Sequence, residues 1–437
     1  MEKEKYTSPL EDFRIVEFGD SRLSKRLIKS TEERMKGMKS RSSAKGFYRL
    51  LSNEKFSHEK LEIACIKSTV ERMSRENKIL LIQDSTDVNL NGHKKTSGLG
   101  YCSRLVKGIQ VHSCIAVSVT GLPLGIISQS YETRPKAKSS LSRAEKKSRP
   151  MEEKESYRWV KTLKASAETV PAGVDAIVMC DREGDIYEVY QSALEIGCGF
   201  VIRVAQDRKT ETSAKIFSRI RNAPAIGYAT VEIPRDSGKN RKARVAKMAV
   251  SSCSVRISKE KTSLPLNLVR IVEVSETDEP IEWILSTSLP VDTAEDAMTV
   301  VEYYVQRWKI ERFHYVLKQG CKVEEIQQRS VERILPVILI CSMIANFILA
   351  MTYFSRILPD ASCDLMFDED DWKLLYRFAQ KTKTPPKPPY SLAQAIAFLG
   401  QLGVGKRAPS DADYGVKAIW LGLKAFYAAQ TILVGQV

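Results

Sequence analysis

The stretch YYVQRWKIERFHYVLKQG (303–320) carries Tyr304, Arg307, Glu311 and Lys318. At 100° per residue their offsets fall within about 60° of one another on a helix. One carboxylate, two cations and a phenol therefore share a face, while Ile310, Phe313 and Leu317 fall opposite and can pack into a core. A lone acid between cations on a rigid helix suits a group that holds a metal ion beside nucleic-acid phosphates. The plainer reading is a surface helix with an Arg–Glu pair at i, i+4, contributing a few tenths of a kcal/mol.

Two further segments weigh on that choice, both apolar runs closing on an aspartate. IleLeuLeuIleGln (79–83) ends at Asp84 in IQDST, and AIVMC (176–180) ends at Asp181 in CDREGD. Short apolar runs bounded by polar turn residues predict strands buried on both faces. An acid at such a strand end sits at the crevice where open α/β sheets keep their sites. Singly, each aspartate reads as a turn former or helix cap. Two strand-end acids with one helical acid make a more demanding pattern.

The elements between them fit one sheet. GIQVHSCIAVSV (108–119), ThrGly (120–121) and LPLGIISQSYE (122–132) predict a hairpin. A helix over 152–169 leads into the Asp181 strand; a helix near 186–196 and a strand GFVIRV (199–204) follow. Strand with acid, hairpin, helix, strand with acid, helix, strand and a later helix with acid is the order of a ribonuclease-H-like fold.

At this point a family resemblance becomes specific. The spacing Tyr-x2-Arg-x3-Glu-x6-Lys, met by Tyr304, Arg307, Glu311 and Lys318, resembles the YREK signature of bacterial cut-and-paste DDE transposases. The family is the insertion-sequence-four family, the group that includes the transposon-five enzyme. CDREGDIY resembles its second-acid motif and IQDST its first. FGDSRLSKRLI (18–28) and AKGFYRLLSNEKFS (44–57) resemble its transposon-end-binding segment, and IWLGLKAF (419–426) its closing motif.

The resemblance implies Asp84, Asp181 and Glu311 as catalytic metal ligands, with two Mg²⁺ ions for which Mn²⁺ can substitute. It implies Arg307 and Lys318 as phosphate-binding cations supported by Tyr304, and Trp283 as the ring that stacks on a flipped base. The steps implied are nicking, hairpin formation, hairpin opening and strand transfer, on paired terminal inverted repeats held by a homodimer. Hard divalent ions want carboxylate oxygens, and two of them about 3.5–4 Å apart clamp both oxygens of an in-line displacement. Taken without the resemblance, Trp283 reads as an ordinary core aromatic. Asp87 is the rival for the first acid, but Asp84 directly follows the apolar run. Glu183 and Asp185 read as capping or supporting groups, and His314 as a structural or phosphate-side residue outside the catalytic set.

Composition agrees with a nucleic-acid partner. The net charge is +15 and the pI about 9.3, an electrostatic footprint for phosphate. RPKAKSSLSRAEKKSR (134–149) concentrates cations in a linker, either a solvated loop or a strip along a DNA backbone. The nine cysteines form no CxxC pair, which excludes the usual zinc patterns and fits a reducing compartment; the resemblance implies that this is the bacterial cytoplasm, near the nucleoid. The start MEKEKYTSPLEDF has no apolar signal core. Ile334–Phe354 is uncharged and long enough to span a bilayer, but is read as a buried central helix, so no membrane partner is expected.

The expected fold class is α/β, with three regions. Residues 1–75, including DSRLSKRLIKSTEERMKGM (20–38), form a helical DNA-binding domain. Residues 76–354 form the ribonuclease-H-like catalytic core, with a β-strand insertion at about 207–288 built from ARVAKMAVSSCSVRI, LNLVRIVEV and IEWILSTS. Residues 355–437, which include the Pro-rich joint TKTPPKPPY and an Ala/Leu/Gly-rich helical tail, resemble the family's dimerisation region. Two alternatives share parts of this reading: a ribonuclease-H-like nuclease or resolvase without strand transfer, and an inactive DNA-binding transposase derivative.

Overall fold

The computed structural model describes residues 27, 31, 41–103, 105–134, 145, 148–233, 244–259, 262–274, 280–405 and 414–434. The 18–28 and 20–38 motifs and the linker at 134–149 lie almost entirely outside them.

Helices α1 (Arg41–Leu51) and α2 (His58–Met73) precede the first strands, β1 (Lys78–Asn89), β2 (Gly108–Ser118) and β3 (Pro123–Glu132). Helix α3 (Tyr157–Glu168), β4 (Asp175–Cys180), α4 (Tyr187–Ile196) and β5 (Gly199–Arg203) follow. After the short helix α5 (Ile216–Arg221) come β6 (Ala225–Ile233), β7 (Arg244–Lys259), β8 (Thr262–Glu273) and β9 (Glu282–Thr287). All nine strands join one mixed sheet in the order β3-β2-β1-β4-β5-β9-β8-β7-β6. The described residues are thus mixed α/β, with the strands of 225–287 extending the same sheet rather than forming a separate one.

The β1–β4 and β4–β5 pairs are parallel, and each is joined through a helix, as parallel neighbours require. The remaining pairs are antiparallel. Ile79 to Gln83 of β1 and Ile177 to Cys180 of β4 are all buried, which explains their unbroken apolar runs. Gly121, at φ +95° in the β2–β3 hairpin, adopts a conformation that glycine reaches without steric cost.

Helix α2 docks on β3. Thr69 Oγ1 donates to the Ile126 carbonyl at 2.9 Å and Arg72 Nε to the Leu124 carbonyl, on the edge strand of the sheet.

Beyond the sheet run α6 (Ala294–Val305), α7 (Trp308–Tyr315), α8 (Val331–Ile357), α9 (Glu369–Gln380), α10 (Leu392–Val404) and α11 (Val416–Val434). Helix α8 is long and apolar enough to cross a membrane, yet 94% of its apolar window is buried. It packs against α2, β3, α7, α10 and α11, the central-helix role expected of 334–354. Helices α10 and α11 meet closely at Gly422, where a Cβ would fall 1.9 Å from the Leu399 carbonyl oxygen.

Candidate active site

The parallel pairing of β1 with β4 runs from Lys78↔Asp175 to Ile82↔Met179. Continued by two residues, that register sets Asp84 level with Asp181. Asp181 follows β4 directly and caps a 3-10 turn, its Oδ1 accepting from Glu183 N at 2.8 Å. Asp84 differs from expectation: it is not at a strand end. Strand β1 continues to Asn89 because β2 keeps pairing with it, Asp84 opposite Ser113. What ends near Asp84 is only the β1–β4 pairing. Strand β4 ends at Cys180, so both aspartates lie just past the paired segment, at the sheet edge where a terminal acid was expected.

The turn after Asp181 is tight for a packing reason. A Cβ on Gly184 would lie 2.3 Å from Cys180 Cβ and 3.1 Å from the Trp159 ring. Asp185 is not at the crevice. Its fully buried carboxylate accepts from Ala205 N and Gln206 N, both at 2.6 Å, from Tyr190 Oη at 2.6 Å, and from Arg208. It is a structural anchor for the chain after β5.

The YREK stretch is broken. Helix α6 ends at Val305, and Gln306 and Arg307 make i→i+3 bonds, Arg307 N to Tyr304 O at 3.0 Å and Ile310 N to Arg307 O at 3.1 Å. At the other end Val316–Gly320 is a π-helical turn closed by Cys321 N to Val316 O at 2.8 Å. Tyr304 and Lys318 therefore lie outside the regular helix that carries Glu311. Trp283 and Tyr304 meet edge to face at 5.6 Å, and Arg307 lies over the Tyr304 ring at 5.7 Å.

Arg307 joins the acids. Its Nη2 is 2.5 Å from Glu311 Oε1 and its Nη1 is 4.0 Å from Asp84 Oδ2. His314 Nδ1 also stands 4.0 Å from Asp84 Oδ2. Burial pushes the His314 pKa down to about 3, helped by Lys318, so the ring is neutral. Burial raises Asp84 to about 7; Asp181 and Glu311 add to the rise, while Arg307 and the Ser85 amide oppose it. Asp84, Asp181 and Glu311 thus share one electrostatic neighbourhood, with Arg307 among them.

The crevice holds polar atoms that the protein does not satisfy. Tyr304 Oη, Arg307 Nε and His314 Nε2 are buried without a well-formed hydrogen bond. Such orphans are costly unless something else meets them. The sequence reading also missed neighbours. Arg203 lies over Trp283 at 5.9 Å and, with Arg182, Arg221 and Glu282, lines a cavity of about 310 Å³. Trp308, 46% exposed, is stacked by Arg307 at 5.5 Å. The adjacency of Arg182 to Asp181 and of Trp308 to Arg307 was a usable signal; Arg203 had none.

A second cleft of about 670 Å³ lies between α1, the 92–96 loop and the segment leading into α8. Lys94, Lys95, Arg329 and Arg333 line it with Tyr48 and Gln328. Tyr48 Oη donates to the Gln327 carbonyl, and Ser97 N to that of Arg329.

Residues 146–347 match the family model of the transposase DDE domain. That span contains Asp181, Trp283 and Glu311, whereas Asp84 precedes it. Among solved structures, similarity is found to the piggyBac transposase synaptic complex with hairpin DNA, seen by cryo-electron microscopy. The likeness has 12% sequence identity and a TM-score of 0.37, over 69% of this chain and 51% of that one. The chain therefore spans about half the length of the chain it matches.

Proposed function

We propose that this protein is a DNA transposase of the insertion-sequence-four type, with a ribonuclease-H-like core in which Asp84, Asp181 and Glu311 are the catalytic acids. The observation that carries the reading is that the β1–β4 register stops at Ile82↔Met179, two residues before each aspartate, while Arg307 reaches both Asp84 and Glu311. The strand order 3-2-1-4-5, parallel only at β1–β4–β5, supports the core assignment. The transposase DDE domain match over 146–347 supports the reaction class.

The donor set fits a divalent cation. A buried carboxylate raised by two neighbouring carboxylates is stabilised by positive charge, and three oxygen-donor acids suit Mg²⁺ or Mn²⁺. Among the described residues, however, no three acidic, imidazole or thiol side chains stand together as a ready-made cluster. Glu311 is paired with Arg307 instead, and loading the site would exchange that contact. When bound, the metal would activate an attacking hydroxyl and stabilise the leaving oxygen.

The chain's own residues do the rest. Arg307 and Lys318 hold phosphates, and the Tyr304 hydroxyl, held beside Arg203 and Arg307 without a well-formed hydrogen bond, gives a phosphate oxygen one more donor. Trp283, backed by Arg203, offers a stacking face for a base turned out of the duplex, a contact contributing roughly 1–3 kcal/mol. The Lys94–Arg333 cleft supplies a cationic track for the DNA backbone. Hairpin formation at transposon ends, strand transfer into target DNA and a homodimer on paired ends complete the reading, with the bacterial nucleoid as its site of action.

The deciding experiment follows a labelled linear DNA carrying the element's own ends, incubated with Mg²⁺ and run on a denaturing gel. Hairpin-capped product, lost in Asp84→Asn and Glu311→Gln while DNA binding persists, is the expected result. Random nicks would favour a nuclease without strand transfer. DNA shifted but uncut by the unaltered chain would favour an inactive derivative.

A further inference from the structure

Arg158 is the second residue of α3, and its side chain is only 9% exposed. Its Nε donates to Ser85 Oγ at 3.0 Å, its Nη2 to Glu183 Oε2 at 3.2 Å and its Nη1 to the Glu155 carbonyl at 2.8 Å. Ser85 and Glu183 are themselves the residues whose backbone amides donate to the two aspartates. Ser85 N reaches Asp84 Oδ1 and Glu183 N reaches Asp181 Oδ1, each at 2.8 Å. One guanidinium thus joins the strand holding the first acid to the turn holding the second.

We infer that Arg158 is a positioning residue that fixes the separation and orientation of the Asp84 and Asp181 carboxylates, and through them the affinity of the site for its metal. The inference rests on the reading of those aspartates as metal ligands. Its physical basis is the planar fork of arginine, whose donors point in set directions and can hold two acceptors at a fixed distance.

The surroundings make the fork directional. With Arg158 donating to Ser85 Oγ, the serine hydrogen is aimed at His112 Nδ1, 2.8 Å away. The His112 ring then carries its proton on Nε2, toward Gln83 Oε1 at 3.2 Å. Trp159 closes the back of this ring edge to face at 4.6 Å. Ser85 cannot rotate without breaking a chain that runs back into β1. Outer partners of this kind typically change metal affinity 10–100-fold when removed.

Two substitutions separate positioning from general structure. Arg158→Lys keeps the charge but loses the fork; Ser85→Ala keeps the amide bond to Asp84 but cuts the link to Arg158. The full chain is titrated with Mn²⁺ alone, free ion being read by electron paramagnetic resonance, and DNA binding is measured in parallel without metal. Both variants should bind Mn²⁺ about 10-fold or more weakly with unchanged DNA affinity. The double variant should be no worse than the weaker single one, because both cut the same link. Mn²⁺ affinity within twofold of the parent in both single variants overturns the inference, as does a parallel loss of DNA affinity. Asp84→Asn is the control for the underlying reading: if it binds Mn²⁺ as the parent does, the ligand assignment fails, whatever Arg158 does.

Discussion

Asp84 couples protonation to stability. Its folded pKa of about 7 lies above the ordinary value of 3.8, so the folded protein keeps a proton that the unfolded chain has released. Stability therefore falls as pH rises from about 4 to 7, and the cost stays in place above that. Asp84→Asn removes the cost. We expect the substitution to stabilise the metal-free protein at pH 8 by roughly 1–3 kcal/mol and to have no effect near pH 4, read by chemical denaturation at the two pH values. Tyr304 makes a complementary case. Its hydroxyl is buried beside Arg203 and Arg307 with no well-formed hydrogen bond, so Tyr304→Phe should change stability by less than about 1 kcal/mol. If that hydroxyl meets a DNA phosphate, cleavage should slow by roughly 10-fold or more. A melting curve beside a single-turnover rate checks both halves, and an unchanged rate would remove Tyr304 from the phosphate site.

At the scale of elements, each acid depends on an interruption. Asp84 lies where β4 leaves β1, Asp181 where a 3-10 turn follows β4, and Glu311 in a short helix bounded by a tightened turn and a π turn. The apolar runs made β1 and β4 legible, and ThrGly located the hairpin, because burial on both faces and turn geometry leave local marks. The extension of β1 past Asp84 was not legible, since apart from Val88 its residues beyond Gln83 are polar and are held by pairing with β2. The break at Gln306–Arg307 was hidden too, for nothing in VQRWK forbids a continuous helix. Arg158 and Asp185 act through partners distant in sequence, and no local spacing announces them. Gly184 permits a sharp test of the Asp181 turn. Gly184→Ala drives a methyl into Cys180 and should destabilise the fold by about 1–3 kcal/mol. Cleavage should fall further than that loss of folded protein accounts for, measured at a temperature where the variant remains folded.

For the whole molecule, charge and the central helix matter most. The cleft lined by Lys94, Lys95, Arg329 and Arg333 should contribute to DNA affinity through released counterions. Lys94→Ala with Arg329→Ala should flatten the slope of log affinity against log salt by roughly 1–2, checked by binding isotherms at several salt concentrations. An unaltered slope would show that DNA runs elsewhere. Helix α8 joins elements far apart in sequence, packing on α2 before the sheet, on α10 and α11 after it, and on α7, which bears Glu311. This has a consequence for synthesis, which proceeds from the N-terminus. A chain still on the ribosome gains its third acid before it gains the helix that seats that acid against the sheet. The three carboxylates are complete as a list by residue 311, and α7 can already meet β1, but its packing against α8 waits until residues 331–357 emerge. A growing chain therefore carries all three carboxylates before α8 is there to hold α7 in place.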